Sequence, residues 1–233
     1  MKKSKIFTIG ALTLCLFGSG ACSSMTNMGK GALIGGGGGT ALGAGLGALI
    51  GGGKGAGIGA AIGAAVGAGA GTLIGRKMDQ QKKQLEAELA EKAAVESVKD
   101  QNGLEAIKIT FANGILFPTN GTTLNASERQ TLSGFATNLI NNPDTNVQIF
   151  GFTDNTGSMA VNEKVSTGRA DAVENFLANS GVSRSRLSAK GIPMSDYVAS
   201  NDTPEGRAQN RRVEIYITAN QQMIQNAENG TLK

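Results

Sequence analysis

The run Ala199-Ser200-Asn201-Asp202-Thr203-Pro204-Glu205-Gly206-Arg207-Ala208-Gln209-Asn210-Arg211-Arg212-Val213-Glu214 decides how the C-terminal half of this 233-residue chain is read. Its middle, residues 204–209, reads as a short helix. Its end opens an apolar strand over residues 213–217. Working back from it, residues 187–190 form another strand. Residues 159–179 carry Val165, Ala172, Val173, Phe176 and Leu177 at helical spacing, and residues 147–152 read as a strand. Asn125 with Glu128 three residues later is a helix-start signature, and Leu132, Phe135 and Leu139 carry that helix to Asn141-Asn142-Pro143. Ile107, Ile109 and Phe111 alternate with polar residues; Asn113-Gly114 supplies a turn and Ile115-Leu116-Phe117 a return strand. Strands separated by helices and closed by a C-terminal strand give an α+β fold over residues 102–219, an α/β sandwich with helices packed on a mixed four-stranded sheet.

Three further runs sharpen this: Asn142-Pro143-Asp144-Thr145, Gly151-Phe152-Thr153-Asp154-Asn155-Thr156-Gly157 and Ser166-Thr167-Gly168-Arg169-Ala170. Together with the closing run they resemble the OmpA C-terminal domain family over about half the chain. The resemblance implies non-covalent binding of peptidoglycan through its diaminopimelate stem-peptide group. A diaminopimelate end bears an ammonium and a carboxylate on one carbon, so a receptor needs one anion and one cation. On that resemblance Asp154 accepts from the ammonium and Arg169 clamps the carboxylate in a planar fork, with Arg169 the expected partner of Asp154. Thr153, Asn162 and Arg211 match supporting positions, and Arg212 is expected at the sheet edge or in solvent. Pro118, Phe152 and Ile192-Pro193-Met194 depart from the family pattern.

Outside this segment the composition changes twice. Residues 76–101 are charged, rich in helix formers and free of Gly and Pro. Met78, Leu85 and Leu89 make only a thin apolar stripe, so a solvated connector helix is expected. Residues 31–75 are a glycine ruler: glycine recurs every fourth residue from Gly31 through Gly75, and Lys54 is the one charge before Ile74. Glycine costs about 1 kcal/mol in an aqueous helix, whereas lipid enforces helix and small residues let backbones approach. Gly51-Gly52-Gly53-Lys54-Gly55 splits the segment into two lengths that can each cross a bilayer, so a glycine-zipper membrane hairpin is expected. A flexible glycine-rich linker is the alternative. Residues 220–233 are polar and read as a disordered tail.

Residues 1–21 join a basic head, an apolar run too short to span a membrane and small residues: a signal peptide. Gly20-Ala21-Cys22 resembles the lipobox of bacterial lipoproteins, with Ser19 where an aliphatic residue is usual. That resemblance implies acylation of Cys22, a lipid-anchored segment over residues 22–30, and, with Ser23 following, sorting to the cell outer membrane with the C-terminal domain in the periplasm. The architecture as a whole is similar to the small OmpA-like lipoproteins of the YiaD type.

Composition prunes the rest. His is absent and Cys numbers two, which excludes His-dependent triads and four-thiolate zinc sites, and no metal or cofactor is expected. The net charge of +4 owes three units to Lys2, Lys3 and Lys5, so it gives no argument for nucleic acid. Wall hydrolysis would want paired carboxylates or an activated nucleophile, and none is legible, so no enzyme is expected. The expected partners are peptidoglycan, membrane lipid and a further copy of the chain in a homo-oligomer. The competing reading is an oligomeric membrane or transport component built on the zipper and using the C-terminal domain only for anchoring.

Overall fold

The structure is a computed structural model that describes residues 68–100, 102–111, 117 and 121–232. The chain divides into two units, Met1–Gly35 and Gly36–Lys233, and all described residues belong to the second. The expected signal peptide, Cys22 and residues 31–67 of the expected hairpin lie outside the described residues.

The first described element is helix α1 (Ala68–Glu88). Ile74, Met78, Gln81 and Leu85, spaced by four, three and four, fall on one face and are at most 1% exposed. This corrects the solvated-connector expectation. The apolar stripe looked thin because Gln81 holds one of its positions. Gln81 donates from Nε2 to Asn138 Oδ1 at 3.0 Å, while its buried Oε1 has no hydrogen-bond partner among the described residues. The same helix begins inside the glycine ruler, with Ala70 and Ile74 buried in the domain core. The hairpin therefore cannot keep its boundary at residue 75. Among the described residues no helix is long and apolar enough to cross a membrane.

The connector also fails to stay helical to residue 101. It stops near Leu89, Glu91 takes a left-handed φ of 65°, and the chain enters strand β1 (Ala94–Lys99). Asp100 then closes a tight turn, its Oδ1 accepting from Asn102 N (2.8 Å) and Leu104 N (2.9 Å). Strand β2 (Glu105–Phe111) returns antiparallel to β1, adding a fifth strand where four were expected. Both edges of β2 are taken, by β1 and by the last strand; residues 115 and 116 of the expected return strand lie outside the described residues.

Helix α2 (Ala126–Asn141), strand β3 (Thr145–Phe152) and helix α3 (Met159–Asn179) follow close to expectation. So do strand β4 (Leu187–Ile192), helix α4 (Pro204–Asn210) and strand β5 (Val213–Ala219). The sheet order is β1-β2-β5-β3-β4, with β3 and β4 parallel and joined through α3, and the other pairs antiparallel. Residues 220–233 are not a disordered tail: helix α5 (Gln221–Glu228) is capped by Asn220 Oδ1 accepting from Met223 N at 2.9 Å, and Met223, Ile224 and Ala227 are buried. Helix α1 packs against α2, α5, β1 and β2. The main core lies between these helices and the sheet face carrying Ile107, Ile109, Val147, Ile149, Ile215 and Ile217.

One close approach sets the site. A Cβ on Gly151 of β3 would collide with the Ser166 carbonyl oxygen of α3. The glycine thus lets α3 lie directly on β3, with Asp154 and Arg169 each three residues further along their own elements.

Candidate functional site

Asp154 follows the C-terminal end of β3, where α/β sheets gather ligand-binding loops. It is 5% exposed, yet ionised in character. Burial alone would raise its pKa, but the Thr156 N–H at 2.8 Å from Oδ1 and the Arg211 guanidinium outweigh it and hold the pKa down. Arg211 Nη1 stands 2.6 Å from Asp154 Oδ2. The direct partner of Asp154 is therefore Arg211, placed just ahead of β5 by α4, and not Arg169 as expected.

Arg169 is close enough to feel both charges without replacing Arg211. Its pKa is lowered by burial first and then by Arg211, with Asp154 opposing. It is 2% exposed, donates from Nε to Gly121 O at 3.0 Å, and sits over the Phe117 ring at 5.6 Å. Among the described residues, no carboxylate bonds Arg169. The centre thus holds two guanidinium groups around one carboxylate, most of it withdrawn from water.

Thr153 and Asn162 shape the loops that hold this cluster. Thr153 Oγ1 accepts from Met194 N at 3.0 Å, tying the end of β3 to the loop after β4. Asn162 Nδ2 donates to Thr156 O (2.8 Å) and Ser158 O (3.0 Å), fixing the turn that carries Asp154. The five expected residues gather in one region, three as charges and two as supports.

Arg212 contradicts the edge-or-solvent expectation. It is 5% exposed, its guanidinium lies 3.8 Å from the Phe152 ring centroid, and Nε is 2.7 Å from Glu214 Oε1. Burial would raise the pKa of Glu214, but Arg212 and Lys108 overcome it and the pKa is lowered. Tyr216 donates to Glu214 Oε2 at 2.7 Å. The signal was present in the sequence as an Arg-x-Glu-x-Tyr alternation at strand period, which puts all three side chains on one face. Asn210 was also missed: its Oδ1 accepts from Val198 N (2.8 Å) and Ala199 N (3.0 Å), bracing the same loop.

Known proteins match the same part of the chain. The OmpA family model matches residues 116–211, a span containing all five site residues, and a YMGG-like Gly-zipper model matches residues 1–79. The chain is 34% identical to the outer-membrane lipoprotein YfiB of Pseudomonas aeruginosa, over 49% of this chain and 68% of that one. The chain belongs to the OmpA family. It is also 37% identical to YiaD of Escherichia coli K12, named as a probable lipoprotein, over 57% of this chain and 61% of that one. Similarity to the peptidoglycan-binding protein ArfA of Mycobacterium tuberculosis is 39% over 48% of this chain, but only 34% of ArfA. The chain thus spans less than two thirds of these last two relatives. Among solved structures, the cell wall anchor of the T6SS from Pseudomonas aeruginosa superposes with a TM-score of 0.51 at 27% identity, covering 59% of this chain and 99% of that one. These matches establish the OmpA-family fold and the glycine-zipper segment ahead of it.

Proposed function

We propose that this OmpA-family protein binds peptidoglycan non-covalently and ties the outer membrane to the cell wall. The domain would stand in the periplasm, held to the membrane by acylated Cys22 and the glycine-zipper segment. One observation carries the binding reading: Arg169, buried beside the Asp154–Arg211 pair, bonds no carboxylate among the described residues. The carboxylate of a diaminopimelate end supplies an anion to Arg169. Its ammonium takes the acceptor capacity left on Asp154, whose carboxylate offers about four lone-pair sites and spends two on Thr156 and Arg211. Similarity to the peptidoglycan-binding protein ArfA and to the T6SS cell wall anchor supports the wall-binding part of the reading. A catalytic acid would need a raised pKa; Asp154 is held down, which suits a fixed anion and favours binding over hydrolysis.

The test is co-sedimentation of detergent-solubilised full-length protein with purified sacculi. Asp154→Asn is expected to weaken retention about tenfold or more, the cost of one charge-assisted contact. Free diaminopimelate is expected to release the parent protein. A folded Asp154→Asn protein that pellets like the parent, indifferent to diaminopimelate, would rule the reading out.

A further inference from the structure

Three backbone segments meet at the charge cluster: the end of β3 that leads to Asp154, the entry to β5 that carries Arg211, and the loop from β4 to α4. One buried side chain touches all three. The Arg212 guanidinium lies 3.8 Å from the centroid of the Phe152 ring, two residues ahead of Asp154. Nη1 donates to Asn210 O (3.3 Å), immediately ahead of Arg211, and Nη2 donates to Asp196 O (3.0 Å) in the loop. Nε donates to Glu214 Oε1 (2.7 Å). Glu214 is fixed in turn by the Tyr216 hydroxyl (2.7 Å) and by Lys108 Nζ (3.1 Å). The backbone closes the same frame, with Phe152 N donating to Arg212 O at 2.9 Å.

This arrangement uses what is particular to arginine. A planar fork with five donors can stack on a ring and bond three acceptors at once. A lysine ammonium in its place is a compact point charge, able to keep the ion pair with Glu214 but not the stack and both carbonyls. Arg212 is 5% exposed, and its ring-facing side and its donors are spent inside the protein, so it stands behind the site and not in it. Loss of the stack and of the two carbonyl contacts would loosen residues 196 and 210 relative to β3. The 2.6 Å contact of Arg211 with Asp154 depends on that relation.

We propose that Arg212 is a positioning residue: without touching ligand, it sets the placement of Asp154 against Arg211 that the bound ammonium meets. This rests on the peptidoglycan reading above and deepens it, because it assigns the accuracy of the site to a side chain buried behind it.

Full-length protein on sacculi, competed with diaminopimelate or with pimelate, which lacks the ammonium groups, tests it alongside urea unfolding. The parent is released by diaminopimelate at much lower concentration than by pimelate. Arg212→Lys is expected to bind sacculi about threefold to tenfold more weakly per folded molecule and to lose part of that preference. Phe152→Leu removes the ring and keeps the donors, so it should move both readouts the same way to a smaller extent. Met223→Ala, a core truncation in α5, shows the effect of stability alone: a lower urea midpoint, with retention and preference of the folded protein at parent level. Parent-like retention and preference in Arg212→Lys overturns the proposal. Weaker retention with the preference unchanged marks a general loosening of the fold and overturns it too, as does an equal loss of preference in Met223→Ala. Where Arg212→Lys does not fold, the preference of Phe152→Leu decides, and a parent-like value overturns the proposal. Retention of Asp154→Asn at parent level would instead remove the peptidoglycan reading itself.

Discussion

Among the described residues, Asp154 is the carboxylate whose charge Thr156 N–H, Arg211 and Arg169 all meet. Replacing it with Asn keeps the Thr156 contact but strips Arg211 of its counter-ion and removes the charge that favours Arg169. We expect Asp154→Asn to cost about 2 kcal/mol of stability, read as a lower urea midpoint at unchanged slope. The pH dependence has a defined sign. Asp154 and Glu214 both have folded-state pKa values below their ordinary ones. Their contribution is therefore complete above the unfolded carboxylate range near pH 4 and is lost as pH falls through the lower, folded values. Thermal melts from pH 7 downward should hold nearly level to about pH 5 and then drop, and Asp154→Asn should flatten part of that drop. The residue types of this centre were legible in the sequence, because Asp154, Arg169 and Arg211 lie in characteristic runs. Their partners were not. Whether Asp154 meets Arg169 or Arg211 depends on how far each side chain reaches from α3 or from the start of β5, and spacing along the chain does not contain that distance.

At the scale of elements, position is set by close contacts that single substitutions can break. Gly151→Ala would drive a methyl into the Ser166 carbonyl and push α3, with Arg169, away from β3. A cost of about 1–3 kcal/mol is expected, together with weaker retention on sacculi. An unchanged melt and unchanged binding would show that α3 shifts freely at this point. Helix α5 is a second case. A chain stopped after Ala219 removes Met223 and Ile224, each nearly fully buried, and should lose about 3–6 kcal/mol from a domain whose whole margin is about 5–15. The helices α2 and α3 were readable because their apolar spacing is uninterrupted. Helix α5 was not, since only Met223, Ile224 and Ala227 stand out in an otherwise polar tail. Strand β1 was hidden for the opposite reason: the helix formers ahead of it run on in composition past Glu91, where the backbone turns.

For the whole molecule, the boundary between the glycine ruler and the C-terminal domain falls earlier than composition suggests. Helix α1 begins inside the glycine ruler and enters the domain core without a break, so residues 68–75 belong to the domain. If acylated Cys22 is the anchor, Cys22→Ala should abolish palmitate labelling and leave an unprocessed precursor; label on that variant would exclude the anchor. The domain boundary itself is testable with two fragments. Residues 102–219 lack Ile74, Met78, Leu85 and Leu89, all at most 1% exposed in the intact chain, as well as Met223 and Ile224. At about 1.5–3 kcal/mol for each large apolar side chain, the four from α1 and its end alone equal a typical domain's stability. The short fragment also loses β1, which leaves the β2 edge open along the register from Glu105 to Thr110. An open, apolar strand edge pairs with other chains. Residues 68–232 should therefore melt cooperatively as a soluble species, whereas residues 102–219 should aggregate or bind a hydrophobic dye. Equal melting temperatures for the two fragments would mean that α1 merely rests on the core and adds nothing to its stability.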